Sequence, residues 1–133
     1  MKNLEKDTQK LIQAARQAQL NSYAPYSNFR VGSAILADNG KVYAGCNVEN
    51  AAYPLGQCAE AGAIASMILD GGQKIVKILV ASPNEKICPP CGGCRQKIKE
   101  FADKNTEILM CDNQGNIQTV DIAGLLPFAF ELD

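Results

Sequence analysis

The chain has 133 residues, with six cysteines, no histidine and no tryptophan, and its net charge at neutral pH is −1. This length predicts a single domain over residues 1–133, with a core that needs no disulfide bonds. The small net charge and the lack of a Lys/Arg-rich run argue against nucleic acid or a membrane surface as a partner. Without histidine, Ser-His and Cys-His catalytic pairs are excluded. Any metal would therefore be held by thiolates, carboxylates or backbone oxygens.

The first ten residues are charged and contain no apolar run, so we expect no signal peptide. No apolar run approaches the length of a membrane span. We therefore expect a reducing, cytoplasmic location. Cysteines there more often bind metals or act in catalysis than form disulfides.

The hydrophobic pattern predicts helices that alternate with β-strands. Apolar residues at helical spacing from Leu4 to Leu20 predict a first helix. Asn39-Gly40 is a strong turn signal and predicts a hairpin between its flanking strands. We expect an α/β layered domain around a sheet that is not wholly parallel. The predicted elements are helix 4–20, loop 22–27, strands 30–37 and 41–46, irregular segment 47–57, helix 58–69, strand 74–81, helix 91–102, and strands 107–111 and 117–120.

Two short motifs carry the chemistry: Cys58-Ala59-Glu60, and Pro90 followed by Cys91-Gly92-Gly93-Cys94. Catalytic zinc sites use three protein ligands and leave the fourth position to water. Cys91 and Cys94 have the spacing that chelates one ion from a turn entering a helix, and Cys58 begins another predicted helix. The positive ends of both helices, together with Arg95, would offset the thiolate charge. Glu60 would then stand beside the open position as a general acid and base.

Other interpretations of these residues stay open. A Cys-x-x-Cys pair alone also fits a structural zinc knuckle or a redox pair. Cys88 could be a fourth ligand, or could form a separate cluster with Cys91 and Cys94. Glu60 alone could be an acid favoured by the helix dipole. Two further cysteines in predicted strands, Cys46 and Cys111, are interpreted as small buried apolar residues.

Several segments in chain order resemble the zinc-dependent nucleoside and base deaminases, whose signature is [HC]-x-E followed by P-C-x-x-C. The resemblance is closest to the small homotetrameric cytidine deaminases. It implies a three-layer α/β/α sandwich around a mixed five-stranded sheet, a Zn²⁺ cofactor and a homotetramer. It also implies deamination of cytidine and 2′-deoxycytidine in pyrimidine salvage. The matching segments are 26–32 (YSNFRVG), 46–53 (CNVENAAY), 58–60 (CAE), 90–96 (PCGGCRQ) and 125–127 (LLP) with Phe130.

The resemblance also implies roles for individual residues. Cys58, Cys91 and Cys94 would bind zinc, and Glu60 would be the proton shuttle. The substrate contacts are five. Asn47 and Glu49 would bind the ribose hydroxyls, and Phe29 would pack against the ring or sugar. Tyr53 and Phe130 would complete a substrate site to which neighbouring subunits contribute. Each of the three aromatic side chains could equally be a core or interface residue.

The chain departs from the family pattern beside the catalytic motif. The family usually has Arg directly after the catalytic Glu, and this chain has Ala61. This shifts the balancing of thiolate charge to Arg95 and the helix N-termini. Gln57 and Cys88 are further differences, and Cys88 has no assigned role.

Three alternative functions remain at this point. One is a deaminase for another ring, which Asn47 and Glu49 disfavour because they suit a sugar-bearing substrate. Another is a non-catalytic zinc-stabilised module with Cys88 as fourth ligand. The third is a nucleic-acid-editing deaminase, which the lack of a basic stripe disfavours.

Overall fold

The structure, a computed structural model, describes residues 2–132, with side chains from residue 6 onward. The side chain of Leu4, part of the predicted helical pattern, lies outside the described residues. The elements are α1 (Lys2–Leu20), β1 (Gly32–Ala37), β2 (Val42–Cys46), a single 3-10 turn (Tyr53–Leu55), α2 (Ala59–Leu69), β3 (Ile75–Ala81), α3 (Gly92–Phe101), β4 (Glu107–Cys111), β5 (Ile117–Val120) and α4 (Ile122–Leu125).

The five strands form one mixed sheet in the order β2-β1-β3-β4-β5. The β1–β2 hairpin is antiparallel, and β1 also pairs antiparallel with β3. β3 and β4 run parallel, and β5 returns antiparallel to β4. The parallel pair requires a crossover, which α3 provides. The predicted α/β class with a mixed five-stranded sheet is confirmed.

Helices cover both faces of this sheet. On one face, Leu11 and Ala15 of α1 pack in a buried cluster with residues of β1, β3 and β4. On the other face, Met67 of α2 and Ile98 of α3 belong to a second buried cluster with β-strand residues. Burying apolar side chains on both faces gives the three-layer α/β/α arrangement.

Gly45 of β2 fixes how closely α2 approaches the sheet. A Cβ at this position would lie 2.5 Å from the carbonyl oxygen of Ala59 and 2.4 Å from the backbone nitrogen of Ala63. Only glycine fits this contact, so the first turn of α2 rests directly on the β2 backbone. The helix start that carries Cys58 and Glu60 is thereby held against the sheet.

The structure differs from the sequence prediction mainly at element ends. Cys58 and Cys91 have extended backbones and precede α2 and α3 as N-cap residues instead of beginning the helices. The 3-10 turn and α4 were not predicted, because elements of three and four residues are too short to show a periodic pattern. Cys111 is buried as predicted, whereas Cys46 is only half-buried because β2 is an edge strand.

Candidate metal centre and active site

Three thiols meet where α2 and α3 begin. The sulfur atoms of Cys58, Cys91 and Cys94 all lie within 4.8 Å of one another. The Sγ atoms of Cys58 and Cys91 are 3.7 Å apart. The two N-cap positions and the first turn of α3 therefore bring together side chains that are distant in the sequence.

The thiol cluster fits a tetrahedral zinc ion. Zinc–sulfur bonds of about 2.3 Å in tetrahedral geometry place neighbouring sulfurs ~3.8 Å apart. The Cys58–Cys91 separation of 3.7 Å meets this requirement. A donor set of three sulfurs also suits zinc better than it suits Mg²⁺ or Ca²⁺. In the described residues, the cluster contains three cysteines and does not include Cys88.

The cluster favours ionised sulfur at Cys58. A hydrogen bond from the Cys94 thiol, with a smaller contribution from Cys91, lowers the pKa of Cys58 to about 6, although burial opposes this. The same hydrogen bond raises the pKa of Cys94, since Cys94 keeps its proton while Cys58 is charged. Metal ligation requires deprotonated thiols, so a cysteine already ionised near neutral pH is suited to the first ligand position.

Glu60 is the second residue of α2 and is only 3% exposed. Burial, with a smaller contribution from the negative charge of Cys58, raises the pKa of its carboxyl to about 7. A general acid and base is most effective when its pKa lies near the working pH. Burial therefore gives Glu60 the property that a proton shuttle needs.

Arg95 contacts main-chain oxygens. Its Nε donates to the carbonyl oxygen of Pro90 at 2.9 Å, and its Nη1 donates to that of Leu125 at 3.0 Å. The side chain thus connects the loop before Cys91 to α4. The predicted role in balancing thiolate charge stays a prediction, and the hydrogen bonds of this structure indicate that Arg95 holds the loop.

Glu49 lies in a pocket of about 310 Å³ that it shares with Ser27 and Tyr53. Its carboxylate accepts hydrogen bonds from the backbone nitrogens of Tyr26 at 2.9 Å and Ser27 at 3.2 Å, and from the Ser27 hydroxyl. The hydrogen bond from the Ser27 hydroxyl is the main reason that the pKa of Glu49 is lowered. Glu49 is therefore a fixed carboxylate at the wall of an open pocket, which is a suitable acceptor for sugar hydroxyls.

Asn47 and Phe29 are joined by a hydrogen bond. The Asn47 amide donates to the carbonyl oxygen of Phe29 at 2.8 Å and accepts from the backbone nitrogen of Val31 at 2.9 Å. The half-buried Phe29 packs against a small cluster that includes Ala59, the residue between Cys58 and Glu60. Asn47 thus fixes the segment that places Phe29 beside the start of α2.

Tyr53 lines the Glu49 pocket, whereas Phe130 lies against α3. Tyr53 is 78% exposed at the Glu49 pocket, and Phe130 is 70% exposed near the C-terminal end. The main-chain oxygen of Phe130 accepts a hydrogen bond from Gln96 of α3 at 3.1 Å. Their predicted substrate roles stay predictions.

Two residues near the thiols have properties that sequence reasoning did not assign. Cys88 is half-buried, and burial raises its pKa, with the negative charges of Glu60, Cys58 and Cys91 adding to the effect. Lys97 was overlooked: its positive charge adds a small contribution to the lowered pKa of Cys58 and opposes, without reversing, the raised pKa of Glu60. The signal was its spacing: Lys97 follows Cys94 by three residues, which places both on one side of α3.

Residues 5–110 match the family model of the cytidine and deoxycytidylate deaminase zinc-binding region. The chain therefore belongs to the cytidine and deoxycytidylate deaminase family. It is 40% identical over 124 residues to a cytidine deaminase from Sporosarcina psychrophila, a match that covers 93% of this chain and 91% of that protein. It is 41% identical over 124 residues to the cytidine deaminase of Halalkalibacterium halodurans, covering 93% and 94% of the two chains.

The fold agrees with this assignment to the deaminase family. The crystal structure of cytidine deaminase from Burkholderia pseudomallei superimposes with a TM-score of 0.86 at 40% sequence identity, covering 92% of this chain and 98% of that chain. Within residues 2–132, no helix is both long and apolar enough to cross a membrane.

Proposed function

We propose that this chain is a zinc-dependent hydrolase that converts cytidine and 2′-deoxycytidine to uridine and 2′-deoxyuridine, with release of ammonia. The observation that carries the proposal is the pairing of three thiols at zinc-compatible spacing with a buried carboxyl at position 60. The family membership and the named activity of the relatives support the same reaction. We propose Cys58, Cys91 and Cys94 as the zinc ligands.

The mechanism requires one residue that moves protons. Bound zinc supplies Lewis acidity, which makes an attacking water easier to deprotonate near neutral pH. Glu60 accepts a proton from this water as the oxygen adds to C4 of the ring, and it delivers a proton to N3. Glu60 then takes the remaining proton of the hydroxyl added to C4 and gives it to the exocyclic amino group, which leaves as ammonia as the C4–N bond breaks and the C4 carbonyl forms. A pKa of about 7 lets the same carboxyl accept and donate these protons.

The ribose and the ring would be held by residues around the Glu49 pocket. Glu49 is anchored by Ser27 and retains acceptor capacity on an ionised carboxylate for the sugar hydroxyls. Phe29, fixed through Asn47, offers an apolar face beside the start of α2. These two contacts favour a nucleoside over a free base.

We also propose that the protein is a cytoplasmic homotetramer that acts in pyrimidine salvage. Tyr53 and Phe130 are large, exposed aromatic side chains, as expected for residues covered by a neighbouring copy. In that assembly they would complete the substrate site. Nucleic acid is disfavoured as a substrate, since a chain with a net charge of −1 provides little attraction for a polyanion.

The test is an absorbance assay of cytidine loss by the zinc-loaded protein. We expect hydrolysis that stops when a chelator removes zinc and returns when zinc is restored. Cytosine should be turned over far more slowly than cytidine, and 2′-deoxycytidine should be a substrate. No hydrolysis of either nucleoside by protein that carries one zinc per chain would refute the proposal, and equal rates for cytosine and cytidine would refute the ribose contacts.

A further inference from the structure

The segment that carries Asn47 runs between two other parts of the chain. On one side, the backbone nitrogen of Tyr23 donates to the carbonyl oxygen of Asn47 at 3.1 Å. On the other side, Val48 pairs with Gln57, which directly precedes Cys58. Asn47 is therefore held between the loop that follows α1 and the start of α2.

The side-chain amide of Asn47 has two main-chain partners that set its orientation. Its Nδ2 donates to the carbonyl oxygen of Phe29 at 2.8 Å, and its Oδ1 accepts from the backbone nitrogen of Val31 at 2.9 Å. The reversed amide would place Oδ1 against the Phe29 oxygen and Nδ2 against the Val31 nitrogen, so only one orientation satisfies both partners. In that orientation the amide fixes the segment that places Phe29 beside the start of α2.

Ser22 gives this amide a third partner. It follows the end of α1 and is only 6% exposed. Its hydroxyl lies within hydrogen-bond distance of the Asn47 side-chain oxygen Oδ1 and, at 3.2 Å, of the Asn47 carbonyl oxygen. Both atoms are acceptors, so the hydroxyl must be the donor. Ser22 and Val31 together occupy the acceptor positions of Oδ1, so Asn47 can offer a ligand only an N–H.

We propose that Ser22 is a positioning residue for substrate binding, whose hydroxyl holds the Asn47 amide in the orientation that fixes Phe29 and presents an N–H to the nucleoside. This inference rests on the proposed function, in which Phe29 offers an apolar face to the substrate. Because Ser22 is buried, it acts through Asn47 and does not touch the substrate. Since its hydrogen bond exists before the substrate arrives, less ordering of the site is needed at binding.

Ser22→Ala removes the donor and leaves the rest of the side chain in place. In the zinc-loaded protein, we expect the KM for cytidine to rise about three- to tenfold, the effect of losing one neutral hydrogen bond. The kcat should stay within about twofold, because Glu60 and the three thiols are unchanged. Since Ser22 acts through Asn47, the same substitution in an Asn47→Ala background should cause no further rise in KM.

Amide hydrogen exchange measures the same role without turnover. The Val31 N–H donates to Oδ1 of Asn47, so its exchange should be about three- to tenfold faster in Ser22→Ala. Ser82→Ala is the matched control. It removes another buried hydroxyl that donates to an asparagine side chain, the Oδ1 of Asn84 at 2.8 Å, and it should change neither the exchange of Val31 nor the KM.

The outcomes distinguish this inference from the proposed function. A wild-type KM, or wild-type exchange at Val31, in Ser22→Ala would overturn the role of Ser22 while leaving zinc-dependent deamination intact. A rise in KM that Ser82→Ala shares, or that persists in the Asn47→Ala background, would overturn it as well. A zinc-loaded wild-type chain that leaves cytidine unchanged would overturn the proposed function, and the exchange of Val31 would still decide whether Ser22 holds Asn47.

Discussion

Replacing Glu60 with glutamine should have two opposite effects. The variant should keep zinc, because the three thiols are unchanged, but lose about 100- to 10,000-fold in turnover, since glutamine cannot accept or donate the transferred proton. It should also make the folded chain more stable at neutral and alkaline pH. The second effect follows from burial, because an ionised carboxylate at a position that is 3% exposed loses most of its hydration.

The size of this stabilisation follows from the pKa of Glu60. In the unfolded chain the carboxyl ionises near its ordinary value of 4.5, whereas burial raises the pKa in the folded chain to about 7. As the pH rises between these values, the unfolded state loses its proton and the folded state retains it, so folding becomes progressively less favourable. Above about 7 the loss is constant at up to ~3 kcal/mol, from a pKa difference of roughly 2.5. Glutamine avoids this loss entirely.

Urea unfolding of wild type and Glu60→Gln tests this reasoning. The measurement is made with a chelator and a thiol reductant present, so that zinc binding does not contribute to the free energy of unfolding. The advantage of Glu60→Gln should be small at acidic pH, should grow through the window from 4.5 to about 7, and should then remain constant. A variant less stable than wild type at alkaline pH, or a difference that does not change across this window, would refute the argument from burial.

Three further substitutions, two of them with a control variant, test other parts of the structure. Cys58→Ala should lose both zinc and turnover, measured by metal analysis and cytidine absorbance, while Cys46→Ala, a half-buried thiol outside the cluster, should retain both. Gly45→Ala should lose about 1–3 kcal/mol in the free energy of unfolding because its Cβ overlaps backbone atoms of α2. Gly62→Ala, whose nearest neighbour would lie at an ordinary 3.5 Å, should be neutral or stabilising, and equal losses in the two variants would contradict the close-contact argument. Arg95→Met should destabilise the fold by about 1–3 kcal/mol by leaving two carbonyl oxygens without their donor, and an unchanged unfolding curve would remove its loop-holding role.

Much of the fold could be predicted from local patterns. The Asn39-Gly40 turn predicts the β1–β2 hairpin, and β4 and β5 lie at the predicted residues. α4 could not be predicted, because a helix of four residues depends on a local cap: the Asp121 side chain accepts a hydrogen bond from the Gly124 nitrogen at 2.8 Å. Helix ends also shifted by a residue where a cysteine acts as N-cap, since cap geometry is not visible in a hydrophobic pattern.

The sequence predicted the residue types of the candidate site, but it did not predict most of their hydrogen bonds. The motifs indicated the three cysteines and Glu60, and the fold brings the three sulfurs together. The partners of Arg95 could not be predicted, because Leu125 is distant in sequence and its carbonyl oxygen is a backbone group without a motif. Lys97 could have been noticed from its spacing to Cys94, but its effect on Cys58 and Glu60 depends on how α2 and α3 pack, which the sequence does not show.

X-ray absorption spectroscopy of the zinc-loaded protein is the most direct measurement of the central claim. The account predicts three sulfur neighbours at about 2.3 Å and one lighter atom, because the cluster provides three thiols and leaves one position for water. Four sulfur neighbours would instead show that a further cysteine closes the site, and they would contradict a catalytic role for the metal.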